Sequence, residues 1–122
     1  MAYRKYRNKR VEYEGIVFDS LKEKRRYCQL QLWEKHGIIS DLRLQVPYEL
    51  IPAIYEDVEV QLKTKVKIKK KLVQRATTYV ADFVYIKDGV TVVEDTKGFR
   101  TKEYELKKKM MRAFLGITIT EI

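Results

Sequence analysis

Three side chains have the types and spacing for chemistry: Asp82, then Asp95 and Lys97 with Thr96 between them. Two carboxylates and an ammonium on one face make an oxygen-rich site for a hard divalent cation, Mg²⁺ or Mn²⁺. Such ions take one or two carboxylates, with water and substrate phosphate completing the shell. The chemistry to expect is hydrolysis of a phosphodiester, with Lys97 orienting the attacking water or stabilising developing charge. The backbone carbonyl of Thr96 is a further candidate ligand, and Glu23 is the candidate third carboxylate. A purely structural alternative is an acidic pair neutralised by Lys97 and a neighbouring arginine.

What must position these residues is a β-hairpin. Asp88-Gly89 tolerates the positive φ angles of a two-residue type I′ turn, and β-branched and aromatic residues flank it on both sides. A two-residue loop sets Lys87 against Val90, Phe83 against Glu94, and Asp82 against Asp95. Period-two alternation then predicts that Asp82, Asp95 and Lys97 share a face, while Glu94 belongs to surface or second-face structure. Directly opposed like charges are destabilising, so the pair calls for a cation, either Lys97 or a metal.

Around this hairpin the chain predicts two helices. Ser20-Leu21-Lys22-Glu23 has the form of a capping box, which gives Glu23 a structural role as well, and Gly37 marks the end of that helix. Leu21, Cys28 and Leu32 set its apolar stripe, widened by Tyr27, Leu30 and Trp33, with Lys22, Lys24, Arg25, Arg26 and Lys35 around it. The second helix runs from Thr101 as N-cap to Leu115, with Gly116 as its stop and Leu106, Met110, Ala113 and Phe114 as its buried stripe.

Residues 39–54 read as a strand bent or broken by Pro47 and Pro52. Within it Gln45 is either an ordinary strand residue or aimed at the acidic pair. Residues 58–72 alternate, with Val58, Val60, Leu62, Val66 and Ile68 expected on one face and Lys63, Lys65, Lys67 and Lys69 on the other; Thr64 divides them into two arms. Such lysines either track a phosphate backbone or protect a strand edge from aggregation. A basic N-terminal arm (1–10), a short hairpin (11–18) and a final strand (117–122) complete one α/β domain spanning 11–122, a sandwich around a mixed sheet.

Composition narrows the function classes. The 122 residues hold 26 Lys and Arg against 17 Asp and Glu, a net charge of +9 that favours a polyanionic partner, nucleic acid before membrane. One Cys and one His exclude an intrachain disulfide and nearly exclude a zinc site of nitrogen and sulfur ligands. No apolar run approaches the ~18 residues of a membrane span, and a reducing cytoplasm is the expected compartment.

The arrangement of Asp82, Asp95-x-Lys97 and an acid-bearing first helix resembles the PD-(D/E)XK nuclease superfamily. The phrases FDSLKEKRRY, LQVPYELIPA, TYVADFVY and VVEDTKGF, in that order, resemble more closely a family of small phage and prophage proteins described as Holliday junction resolvase-like endonucleases. The resemblance implies a restriction-endonuclease-like αβββαβ core with an extra N-terminal hairpin. It also implies Asp82 and Asp95 as metal ligands, Glu23 as the acidic residue of the first helix, Lys97 as the catalytic lysine, and a homodimer that cuts branched DNA in a bacterial host. Lys22, Arg25, Arg26, Lys63, Lys65, Lys67, Lys69, Arg100 and Lys102 are the expected nucleic-acid contacts. Residue 81 is Ala where the superfamily name has Pro, and the lysine-rich segment is longer than the resemblance accounts for. The competing expectation is a non-enzymatic nucleic-acid-binding module.

Overall fold

The computed structural model describes residues 9–96 and 100–122. The chain opens with a hairpin, β1 (Val11–Tyr13) and β2 (Ile16–Phe18), turned by Glu14 and Gly15 at φ 52° and 80°. The first helix, α1 (Leu21–Lys35), starts where expected, with the Ser20 hydroxyl accepting from the Glu23 amide at 3.1 Å. Then follow β3 (Ser40–Ile51), β4 (Ile54–Gln61), β5 (Val66–Gln74), β6 (Thr77–Lys87), β7 (Val90–Asp95), α2 (Lys102–Leu115) and β8 (Thr120–Glu121). Thr101 caps α2 by accepting from the Tyr104 amide at 3.0 Å, and Gly116 ends it in the left-handed conformation.

Four strands form the central sheet in the order β3-β6-β7-β8, antiparallel except where β8 runs parallel to β7, so the sheet is mixed. Pro47 lies within β3, an edge strand of this order, the setting in which a sheet tolerates a residue without a backbone N–H. Asp88 and Gly89 turn the β6–β7 hairpin at φ 52° and 76°, and the register runs Lys87↔Val90 through Phe83↔Glu94 as the two-residue loop requires. One face packs on α1 through Phe18, Tyr27, Leu30, Phe83 and Tyr85; the other packs on α2 through Tyr79, Val84, Val93, Tyr104 and Met111.

Both helices are rotated relative to the expected stripes. On α1 the buried residues are Glu23, Tyr27 and Leu30, while Leu21 and Leu32 are exposed. On α2 they are Tyr104 and Met111, while Leu106 and Phe114 are exposed. In each case the helix turns polar-capable side chains toward the sheet: Glu23 and Arg26 from α1, Tyr104 from α2.

β4 and β5 pair only with each other, as a separate two-stranded ribbon in which all of β5 is exposed. The ribbon does not separate valines from lysines. A four-residue loop over 62–65 sets Val58 against Lys69 and Val60 against Lys67, and directly opposed residues share a face. One face therefore carries Val58, Val60, Lys67 and Lys69, and the other carries Glu59, Ile68 and Lys70.

The sheet holds one discontinuity. Leu42 and Leu44 pack with the α1 cluster, yet Val46, Tyr48 and Leu50, at the same parity, pack with the α2 cluster. In β6, Phe83 and Tyr85 face α1 while Tyr79 and Ala81 face α2. The pairs Leu44↔Phe83 and Val46↔Ala81 bracket the change, placing Gln45, at φ 51°, and Asp82 opposite one another where the faces exchange.

Candidate functional site

At this discontinuity the acids gather. Asp82 leaves β6 just beyond the last β6–β7 pair, and its Oδ2 accepts from both the Thr96 amide and the Thr96 hydroxyl at 2.9 Å. Asp95 ends β7 at 1% exposure, its Oδ2 accepting from the Tyr79 hydroxyl at 2.6 Å. Burial, then the neighbouring Asp95, pushes the Tyr79 phenol far up, so it stays a proton donor at all ordinary pH. Neutral donors therefore hold the two carboxylates among the described residues.

Glu23 completes the group from the first turn of α1. It is 5% exposed, and its Oε1 accepts from Gln45 Nε2 at 3.0 Å. Its carboxyl is pushed up to about 7 by burial first, then by Asp82, Asp19 and Asp95, against a backbone hydrogen bond from Asp19. The exchange of faces at Gln45 and Asp82 lets an acid from the α1 side and acids from the hairpin share one field.

This raised affinity for a proton has a measurable consequence. The folded chain holds the Glu23 proton more tightly than the unfolded chain, so the stabilisation is complete below pH 4.5 and is lost as pH rises through about 7. Relative to Glu23→Gln, the metal-free wild type should lose up to about 3 kcal/mol of stability between those limits. Paired thermal melts from pH 5 to 8.5 check it; a difference that does not change across the window refutes it.

As donors, Glu23, Asp82, Asp95 and Thr96 suit a hard divalent cation: all are oxygen, and Glu23 is electrostatically unfavourable as an anion until a cation joins it. Among the described residues no group of three or more His, Cys, Asp and Glu side chains is arranged so that it could hold a metal ion. Lys97, the expected catalytic lysine, lies outside the described residues, as do Arg4, Lys5 and Arg7 of the basic arm.

Glu94 lies on the opposite face from Asp95, as parity requires, but it is not at the surface. It is 0% exposed, and Arg26 grips it with Nε to Oε1 at 2.8 Å and Nη2 to Oε2 at 2.6 Å, while the Tyr85 hydroxyl also donates to Oε2. Burial, then Glu94, pushes the Tyr85 phenol up to about 12. The Arg26 guanidinium lies 4.9 Å from the centre of the Trp33 ring. Arg26, expected among the nucleic-acid contacts, is thus committed to a buried carboxylate and an indole face.

The other expected contacts are exposed: Lys22 and Arg25 on α1, Lys63, Lys65, Lys67 and Lys69 on the ribbon, and Arg100 and Lys102 before and at the start of α2. Arg100 pairs with Glu121 at 2.9 Å. Reading by residue type missed Tyr79 and Asp19. Tyr79 carries a legible signal, an aromatic hydroxyl three residues before Asp82; Asp19 carries none apart from its place beside the Ser20 cap.

The family model described as "Protein of unknown function (DUF1064)" matches residues 3–118, nearly the whole chain, and the chain belongs to that family. No curated protein and no solved structure matches it.

Proposed function

We propose that this member of the DUF1064 family is a metal-dependent endodeoxyribonuclease with a restriction-endonuclease-like αβββαβ core. The observation that carries the reading is that Glu23 of α1 is held by Gln45, which lies opposite Asp82 of β6, while Asp82 in turn accepts from Thr96 beside Asp95 of β7, inside a chain of net charge +9. Glu23, Asp82, Asp95 and Thr96 would hold Mg²⁺ or Mn²⁺. The ion, when bound, polarises the scissile phosphate and acidifies water.

The chain's own residues do the rest. Tyr79 and Thr96 fix the orientation of Asp95 and Asp82, which removes reorganisation at the moment of reaction. Glu23, held by Gln45, would add a third carboxylate to the ion's shell, its negative charge favourable once the cation is present. Lys97 stabilises negative charge on the transferring phosphate. Lys22, Arg25, Arg100, Lys102 and the ribbon lysines Lys63, Lys65, Lys67 and Lys69 neutralise flanking phosphates. The substrate is branched or junction DNA, and a homodimer presents two sites to two strands, as suits an enzyme acting in the cytoplasm of a bacterial host.

The test is a panel of labelled duplex, nicked, flapped and four-way DNA with Mg²⁺ or Mn²⁺. Cleavage is expected, strongest on the branched substrates, and folded protein that cuts none of them refutes the reading. The detached ribbon, with every residue of β5 exposed, favours a second reading as a non-enzymatic DNA-binding module. That reading predicts salt-sensitive binding without Mn²⁺ dependence, whereas the nuclease should melt higher with Mn²⁺ as wild type but not as Asp82→Ala.

A further inference from the structure

We infer that Gln45 is a positioning residue of this site, kept in a strained backbone conformation so that its amide holds Glu23. The inference deepens the nuclease reading and rests on it. Four described residues other than glycine have positive φ: Glu14, Asp41, Gln45 and Asp88. Glu14 and Asp88 occupy two-residue turns, where that conformation is required, and Asp41 lies at the irregular start of β3. Gln45, at φ 51°, sits inside the paired run of β3, where an extended conformation would be free of strain.

Two observations say what the strain achieves. The left-handed residue breaks the alternation, so Leu44 faces α1 and Val46 faces α2. It also delivers Nε2 to Glu23 Oε1 at 3.0 Å, from a position opposite Asp82. A long amide at the point of exchange reaches the acid of α1 from the strand that flanks the acidic hairpin. Strain of this kind persists where the surrounding structure over-determines it, and it concentrates at functional sites. Groups that orient metal-binding carboxylates from behind change metal affinity or activity by ~10–100-fold when removed.

Glycine separates the two roles of position 45, because it accepts the left-handed backbone without strain and supplies no amide. For Gln45→Gly, the melting temperature in metal-free buffer should equal or exceed that of wild type. The kcat on a substrate that wild type cleaves should fall ~10–100-fold while KM for DNA stays within about twofold, and the Mn²⁺ needed for half the thermal shift should rise by a similar factor.

Wild-type kcat and Mn²⁺ response in Gln45→Gly would overturn the inference. So would a fall in melting temperature that accounts for the lost activity. If wild type cleaves no DNA, the nuclease reading fails by itself, and the Mn²⁺ midpoint of the thermal shift still decides whether Gln45 positions Glu23.

Discussion

Asp95→Asn is expected to lower DNA cleavage ~10²–10³-fold while leaving the fold intact, the scale on which removing one preorganised electrostatic group from a catalytic site acts. The substitution preserves side-chain size at a position that is 1% exposed, and the new amide oxygen still accepts from Tyr79. What disappears is one negative charge. That charge is part of what raises the Glu23 carboxyl to about 7, so its loss should let Glu23 ionise at lower pH.

Two outcomes therefore travel together: cleavage collapses, and metal-free stability at pH 8 holds or rises because repulsion between Asp95 and Glu23 is relieved. Both are read from cleavage rates on the branched-DNA panel and thermal melts of the same preparation. Cleavage within tenfold of wild type would remove Asp95 from the chemistry. Equal cleavage loss accompanied by a large fall in melting temperature would make Asp95 structural, a partner for Tyr79 and no more.

The parts of this architecture that were legible in the sequence are those governed by short-range rules. Asp88-Gly89 and Glu14-Gly15 turn the hairpins because both residues of each pair take positive φ, and Ser20 and Thr101 cap the helices with side-chain oxygens on the third amide. From the first of these turns the register through Phe83↔Glu94 follows, and with it the placement of Asp95 and Glu94 on opposite faces.

What was hidden depends on tertiary choices. Leu42, Leu44, Val46, Tyr48 and Leu50 form an unbroken alternation, so nothing in hydropathy betrays that the strand changes faces at Gln45. The helix stripes misled for a related reason: Glu23 and Arg26 occupy the buried side of α1, and leucines are left outside. Polar residues claim a core face when partners await them there, Gln45 for Glu23 and Glu94 for Arg26, and such partners are distant in sequence. The ribbon's faces turned on loop length alone, since a four-residue connection pairs odd positions with even ones.

Arg26→Ala decides between two physical roles for one cation. In the structure its guanidinium closes on Glu94, whose side chain is 0% exposed, with 12% of its own exposed. Removing it leaves a carboxylate buried beside the Tyr85 hydroxyl without its counter-charge, and breaking a buried pair from one side costs about 3–5 kcal/mol. For a domain of this size that is a fall in melting temperature of roughly 10–20 °C. Removing both charges should be far milder, so Arg26→Met with Glu94→Leu is expected to recover most of the loss; a double-mutant cycle measures the coupling directly. An arginine that served phosphate instead would behave otherwise. Its alanine variant would melt with wild type, bind DNA more weakly and show a shallower salt dependence, the signature expected here of Lys22 and Arg25, which stand exposed on the same helix. Thermal melts and salt titrations of Arg26→Ala and Arg25→Ala side by side therefore separate the roles. An Arg26→Ala protein as stable as wild type would show that Glu94 is held without it and return Arg26 to the DNA-facing surface.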